Sequence, residues 1–172
     1  MEGKAMGVFS KDGKDSFEAL VEKCRSKRLP TIIYNASKDH AEALCKNLLQ
    51  VAVEERKDVR IVSGNLDSDF YGRMEADVRK ALETGCKVDL IVLNAETDLS
   101  NNAFAKAVRQ MNGNVLQQST GRIVSPHFML VGKELFRIEK DHEQAKAIAS
   151  FNNPDIGETL FKYFDEVKAQ IK

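Results

Sequence analysis

In the stretch "SPHFMLVGKELFRIEK", Ser125 to Lys140, an ionisable histidine stands at the head of an apolar run, directly after a proline. Strand alternation puts His127, Met129 and Val131 on one face. A histidine at a strand end can serve as nucleophile or acid because its pKa lies near neutrality, or it can simply bond to backbone. Further on, "KAIASFN" gives Lys146, Ser150 and Asn152 the same strand parity. An ammonium, a hydroxyl and an amide converging at a strand end could hold phosphate oxygens. The plainer alternative is strand-end capping followed by an Asn-Pro turn. "SGNL", Ser63 to Leu66, follows a strand and precedes a helix, but a single glycine makes a turn and not a phosphate loop. His40 and His142 fall in a helix start and a polar turn, without metal-ligand spacing to any Cys, Asp or Glu, so no metal and no cofactor are expected. Cys24, Cys45 and Cys86 occupy apolar positions and form no C-x-x-C pair, which reads as three reduced, unreactive thiols.

These candidates need a scaffold, and hydrophobic periodicity supplies one. "DSFEALVEKCRSKR" is helical, with Phe17, Leu20, Val21 and Cys24 on one face. "TIIYN" is a short β-branched strand, and Ser37 caps the helix "SKDHAEALCKNLLQVAVEER". "DVRIVSGNL" is a second strand, and "SDFYGRMEADVRKALETG" a single amphipathic helix closed by Gly85. The nearly continuous apolar run "CKVDLIVLN" is a strand covered on both faces, followed by the helix "DLSNNAFAKAVRQMNG" and the strand "NVLQQS". Alternating strands and helices predict an α/β fold with a mixed, largely parallel sheet flanked by helices on both faces. After residue 121 the rhythm changes. "HFMLV", the turn Gly132-Lys133 and "ELFRIE" read as a hairpin, "AKAIASFN" as a third strand, and "DIGETLFKYFDEVKAQIK" as a closing helix capped by Asp155.

A length of 172 residues with no linker or repeat suits a flexible tail over 1–15 and one domain over 16–172. Lys plus Arg (26) balances Asp plus Glu (26), which removes any global electrostatic case for nucleic acid or anionic membrane. No signal-like segment and no span of about 18 apolar residues is present, so a cytoplasmic protein is expected.

From Asp58 onward, "VRIVSGNL", "GCKVDLIVLN", "GNVLQQS", "HFMLVGKELFRIE" and "AIASFNNPDIGETLFKYFDEV" together resemble one half-unit of the phospholipase D-like superfamily. The resemblance implies a motif H-x-K-x(4)-D followed by G-S-x-N, with two half-units facing each other around a phosphodiester. One histidine attacks phosphorus, the other protonates the leaving group, and cations and amides hold the phosphoryl oxygens. Carried over, His127 takes the histidine's place, Glu134 the acidic position, and Ser150 and Asn152 the serine and asparagine, with Ala149 for the glycine. The lysine's position is Met129, and a thioether neither carries charge nor donates a hydrogen bond. Loss of such a contact costs about 2.7–4 kcal/mol of transition-state stabilisation in oxyanion-donor deletions. Lys146 is the better-placed substitute.

The expectation is a non-catalytic phospholipase D-like interaction module, taking a protein partner or a phosphate-bearing ligand such as nucleic acid or a lipid headgroup. The alternative is a dimeric, metal-independent phosphodiesterase or nuclease using His127 with a displaced lysine; a homodimer is required because one half-unit supplies one histidine. A third reading, a membrane-surface adaptor, rests on the basic run "KCRSKR", Lys23 to Arg28.

Overall fold

Two periodicities sort the chain into one sheet and two helical layers. The computed structural model describes residues 14–141 and 146–172. Its elements are α1 (Lys14–Lys27), β1 (Ile33–Asn35), α2 (Lys38–Glu55), β2 (Val59–Ser63), α3 (Ser68–Gly72), α4 (Glu75–Glu83) and β3 (Val88–Val92). Then come α5 (Ala103–Gln110), β4 (Asn114–Gln117), β5 (Phe128–Val131), β6 (Leu135–Asp141), β7 (Lys146–Ser150) and α6 (Pro154–Gln170). Of the tail expected over 1–15, only Lys14 and Asp15 lie within the described residues, and α1 already begins there.

The seven strands form one mixed sheet in the order β1-β7-β6-β5-β2-β3-β4. Parallel pairing is confined to β2, β3 and β4, where crossover helices connect the strands. β5 joins β2 antiparallel, and β5, β6 and β7 make an antiparallel meander. β1, which the alternation would group with the parallel strands, pairs antiparallel with β7 at the edge. Its partner is therefore a strand far along the chain and not a sequence neighbour.

Because successive side chains alternate, the ladders divide the sheet into two faces. One face carries Ile61, Leu90, Met129 and Ala149 beneath the layer of α1, α2, α4 and α5, in the larger core. The other carries Val62, Ile91, Phe128, Leu130 and Phe136 against Leu160, Phe164 and Val167 of α6. Helices therefore cover both faces, as the apolar strand "CKVDLIVLN" requires.

Two local readings are corrected. The helix expected over 68–85 breaks at Arg73–Met74 into α3 and α4, with Met74 leaving helical geometry (φ −111, ψ 11). The break lets Met74 bury completely while α3 packs on α5 and α4 packs between α2 and α5. The cap of α6 is Asn153, whose side chain accepts from the Ile156 N–H at 3.1 Å, and not Asp155. Pro154 takes the first helical position, where a missing N–H costs nothing, so the capping residue must precede it. Ser37 does cap α2, accepting from the His40 N–H.

Candidate ligand-binding cleft

The β5–β6 hairpin decides what faces His127. Gly132 turns the chain with φ +62, a conformation that glycine reaches without strain. The resulting register sets Val131 opposite Leu135 and Met129 opposite Arg137. The Glu139 N–H donates to the His127 carbonyl at 2.9 Å, which carries the ladder one step beyond β5. His127, Met129, Arg137 and Glu139 thus share the face beneath α2.

Along that face runs a polar chain. Asn35 of β1 donates from Nδ2 to the Ala147 carbonyl at 3.2 Å and accepts at Oδ1 from Arg137 Nε at 3.2 Å. Arg137 Nη1 lies 3.6 Å from Glu139 Oε2, and Glu139 Oε1 lies 3.1 Å from His127 Nδ1. A carboxylate can only accept, so the ring donates from Nδ1 to Glu139. Nε2 faces Gly64: a Cβ built there would meet His127 Cε1 at 2.9 Å and Nε2 at 3.0 Å. The "SGNL" turn therefore admits the imidazole against bare backbone. Arg122 Nη2 stands 3.3 Å from the same point, so a second guanidinium borders the ring.

These groups line a cleft of about 490 Å³, roofed by α2 and α3 and opening at Asn65, Asp67 and Lys38. Arg137 is 6% exposed, and its Nη2 is buried with no hydrogen-bond partner among the described residues. A guanidinium with one donor unmet in the interior is costly, typically by about 1–3 kcal/mol or more for a charged group, and invites an acceptor. Two neighbours are held inert. Burial pushes the Cys45 thiol up to about 11, although Arg137 pulls against it, so no thiolate forms there. Burial likewise raises Tyr71, whose hydroxyl hydrogen-bonds Ser63. Cys24, Cys45 and Cys86 are all buried and unpaired. Among the described residues no three Cys, His, Asp or Glu side chains come together as a metal site.

The remaining residues singled out in the sequence lie elsewhere. Glu134 sits at the hairpin turn, at the opposite end of the sheet, with Lys57 Nζ at 2.9 Å. That carboxylate holds Lys57 above the usual lysine range. Lys146 opens β7 at the cleft end of the sheet, exposed and opposite Asp141. Ser150 is fully buried opposite Phe136, on the α6 face, and its Oγ accepts from the Asn152 N–H at 3.2 Å. Asn152 donates to the Arg28 carbonyl. Lys146 and Ser150 share a parity, as read from the sequence, but the ladders put that parity on the face away from His127. The cation across the ladder from Met129 is Arg137. His142 lies outside the described residues, and His40 stacks on Phe17 away from the cleft, ring centroids 3.7 Å apart.

Asn35, Arg137 and Glu139 were not singled out in the sequence. The signal was present in "LFRIE", where two charges of one parity interrupt an apolar strand; the hairpin register gives that parity the inward face.

No family model matches the chain, and no curated protein matches it by sequence. Solved structures do. TrmBL2, an archaeal chromatin protein described as showing a novel mode of DNA binding, matches with TM-score 0.62 at 11% identity, over 94% of this chain and 63% of that one. The phospholipase D family member NUC from Salmonella typhimurium matches with TM-score 0.57 at 11% identity, over 83% of this chain and 95% of that one. Polyphosphate kinase from Porphyromonas gingivalis matches with TM-score 0.58 at 12% identity, over 85% of this chain but 27% of that one. The fold is the phospholipase D-like α/β fold. At these identities the likeness is one of architecture, and the chain spans under two thirds of the chromatin protein's length.

Proposed function

We propose that this domain is a non-catalytic phospholipase D-like module, acting in the cytoplasm, whose cleft binds a phosphate-bearing ligand on Arg137 and His127. The observation that carries the reading is the inward guanidinium of Arg137, held by Asn35 and Glu139 with Nη2 unsatisfied. Phosphate oxygens satisfy such a fork well, since a planar guanidinium presents paired donors. Met129, where the resemblance would place a lysine, supports the non-catalytic reading. The basic run Lys23–Arg28 competes poorly as an anion site, because Arg25 and Arg28 are tied to Glu54 and Glu55.

Titration calorimetry with inorganic phosphate and simple phosphate monoesters tests this. Binding that falls at least tenfold in R137M supports it, and undiminished binding in that variant sinks it.

A second reading, a dimeric phosphodiesterase, is favoured by one observation: Glu139 holds His127 at Nδ1 and so orients the ring with Nε2 toward Gly64. It needs a second copy to supply the second histidine. Turnover of bis(p-nitrophenyl) phosphate that vanishes in H127A, together with a dimer in sedimentation, would establish this reading in place of the first.

A further inference from the structure

The cleft carries two features that a bare phosphate leaves unused. α3 presents Phe70 to it, with Tyr71 edge-on against the ring at 5.2 Å and 88°, and Tyr71 is packed in turn against the buried Phe104 at 5.2 Å. Packing therefore fixes an aromatic surface on the cleft wall. At the mouth, Asn65 accepts at Oδ1 from Asn94 Nδ2 (2.9 Å) and from Thr97 Oγ1 (3.0 Å). Those two bonds settle which way the amide points. Nδ2, with both its hydrogens, is left without an acceptor among the described residues, on an exposed side chain lining the cleft.

We infer that the ligand is a nucleoside monophosphate, with its phosphate on Arg137, its base flat against Phe70 and a base carbonyl on Asn65 Nδ2. The inference rests on the phosphate reading above and names the class of ligand. A cleft of about 490 Å³ falls within the range of small-molecule sites and is too small for a duplex. The mouth limits the phosphate count. Lys38 is already paired with Asp67 (3.6 Å) and Asp69 (3.4 Å), so the mouth offers no unpaired lysine to hold a second phosphate. Two amide donors at Asn65 match a carbonyl oxygen, which uracil, cytosine and guanine offer and adenine lacks. The same chemistry could come from a free nucleotide or from the phosphorylated end of a single strand.

The test is titration calorimetry on the whole protein with uridine monophosphate, adenosine monophosphate, ribose phosphate, inorganic phosphate and a terminally phosphorylated uridine dinucleotide. Uridine monophosphate is expected to bind about tenfold more tightly than ribose phosphate, the low to middle range of a base–aromatic stack. F70L, which keeps most of the volume and removes the aromatic face, should erase that difference. N65A should erase the preference for uridine over adenosine monophosphate. Dinucleotide binding as tight as that of uridine monophosphate assigns a strand end, and weaker binding assigns a free nucleotide; both support the inference. Equal affinity for uridine monophosphate and ribose phosphate, both lost in R137M, overturns it while the phosphate reading stands. No binding by any of these phosphates overturns both.

Discussion

Arg137 carries its charge at a depth where a lone guanidinium would not be tolerated, and its neighbours explain how it stays. Asn35 fixes Nε, and Glu139 faces Nη1 while also holding His127. The carboxylate therefore compensates the cation and competes with any anion that arrives. E139Q keeps the size and an acceptor but removes the charge. Phosphate binding should tighten several-fold by calorimetry, since the anion no longer displaces a carboxylate. Stability should fall by about 2 kcal/mol in urea titration, because a buried cation has lost its counter-charge. Unchanged affinity would place the anion away from Arg137. Met129 has a place in the same account: buried between Ile61 and Arg137, it packs the floor from which the guanidinium projects.

At the scale of elements, strand register matters more than strand identity. The turn at Gly132 sets Arg137 opposite Met129, and without that ladder neither charge in "LFRIE" has an assigned face. β1 and α2 complete the cleft from the N-terminal side, the first through Asn35 and the second as its roof. Residues before Asp58, outside the span of the family resemblance, thus help build the site. The far face is closed by α6, whose start depends on Asn153. N153A removes the acceptor for the Ile156 N–H and should cost about 1 kcal/mol, read as a fall in Tm of about 3 °C for a chain of this size. Ligand affinity should not move, because α6 packs on the face away from the cleft.

For the molecule as a whole, the charge balance leaves local networks to set the pH dependence of stability. His40 lies flat on Phe17, with ring planes 10° apart. Burial lowers its pKa below the usual histidine value, against the raising pull of Asp39 and Glu18. In the unfolded chain the ring takes up its proton at a higher pH than in the folded one, so stability rises with pH across that window. This contribution is fully present above the unfolded value and is lost as pH falls through it toward the folded pKa. Urea midpoints measured from pH 8 down to about pH 5 should decline, and H40F, which keeps the stack without the titration, should flatten part of that decline. An identical slope in H40F would assign the decline to other groups. Among the described residues no helix is long and apolar enough to cross a membrane.

Much of the architecture was legible in the residues themselves. Apolar spacing marked the strands and helices, Gly132 marked the hairpin, and His127 stood out as an ionisable group before an apolar strand. Periodicity could do this because each signal is local. The sequence alone determined the α/β class and the presence of one candidate histidine ahead of an apolar strand. Tertiary structure decided the partners: β1 beside β7, Glu139 on His127, Arg137 across from Met129, and Lys146 and Ser150 on the other face. Those facts depend on ladders between segments far apart in the chain. A strand's parity says which side chains share a face, while only its pairing says which face that is.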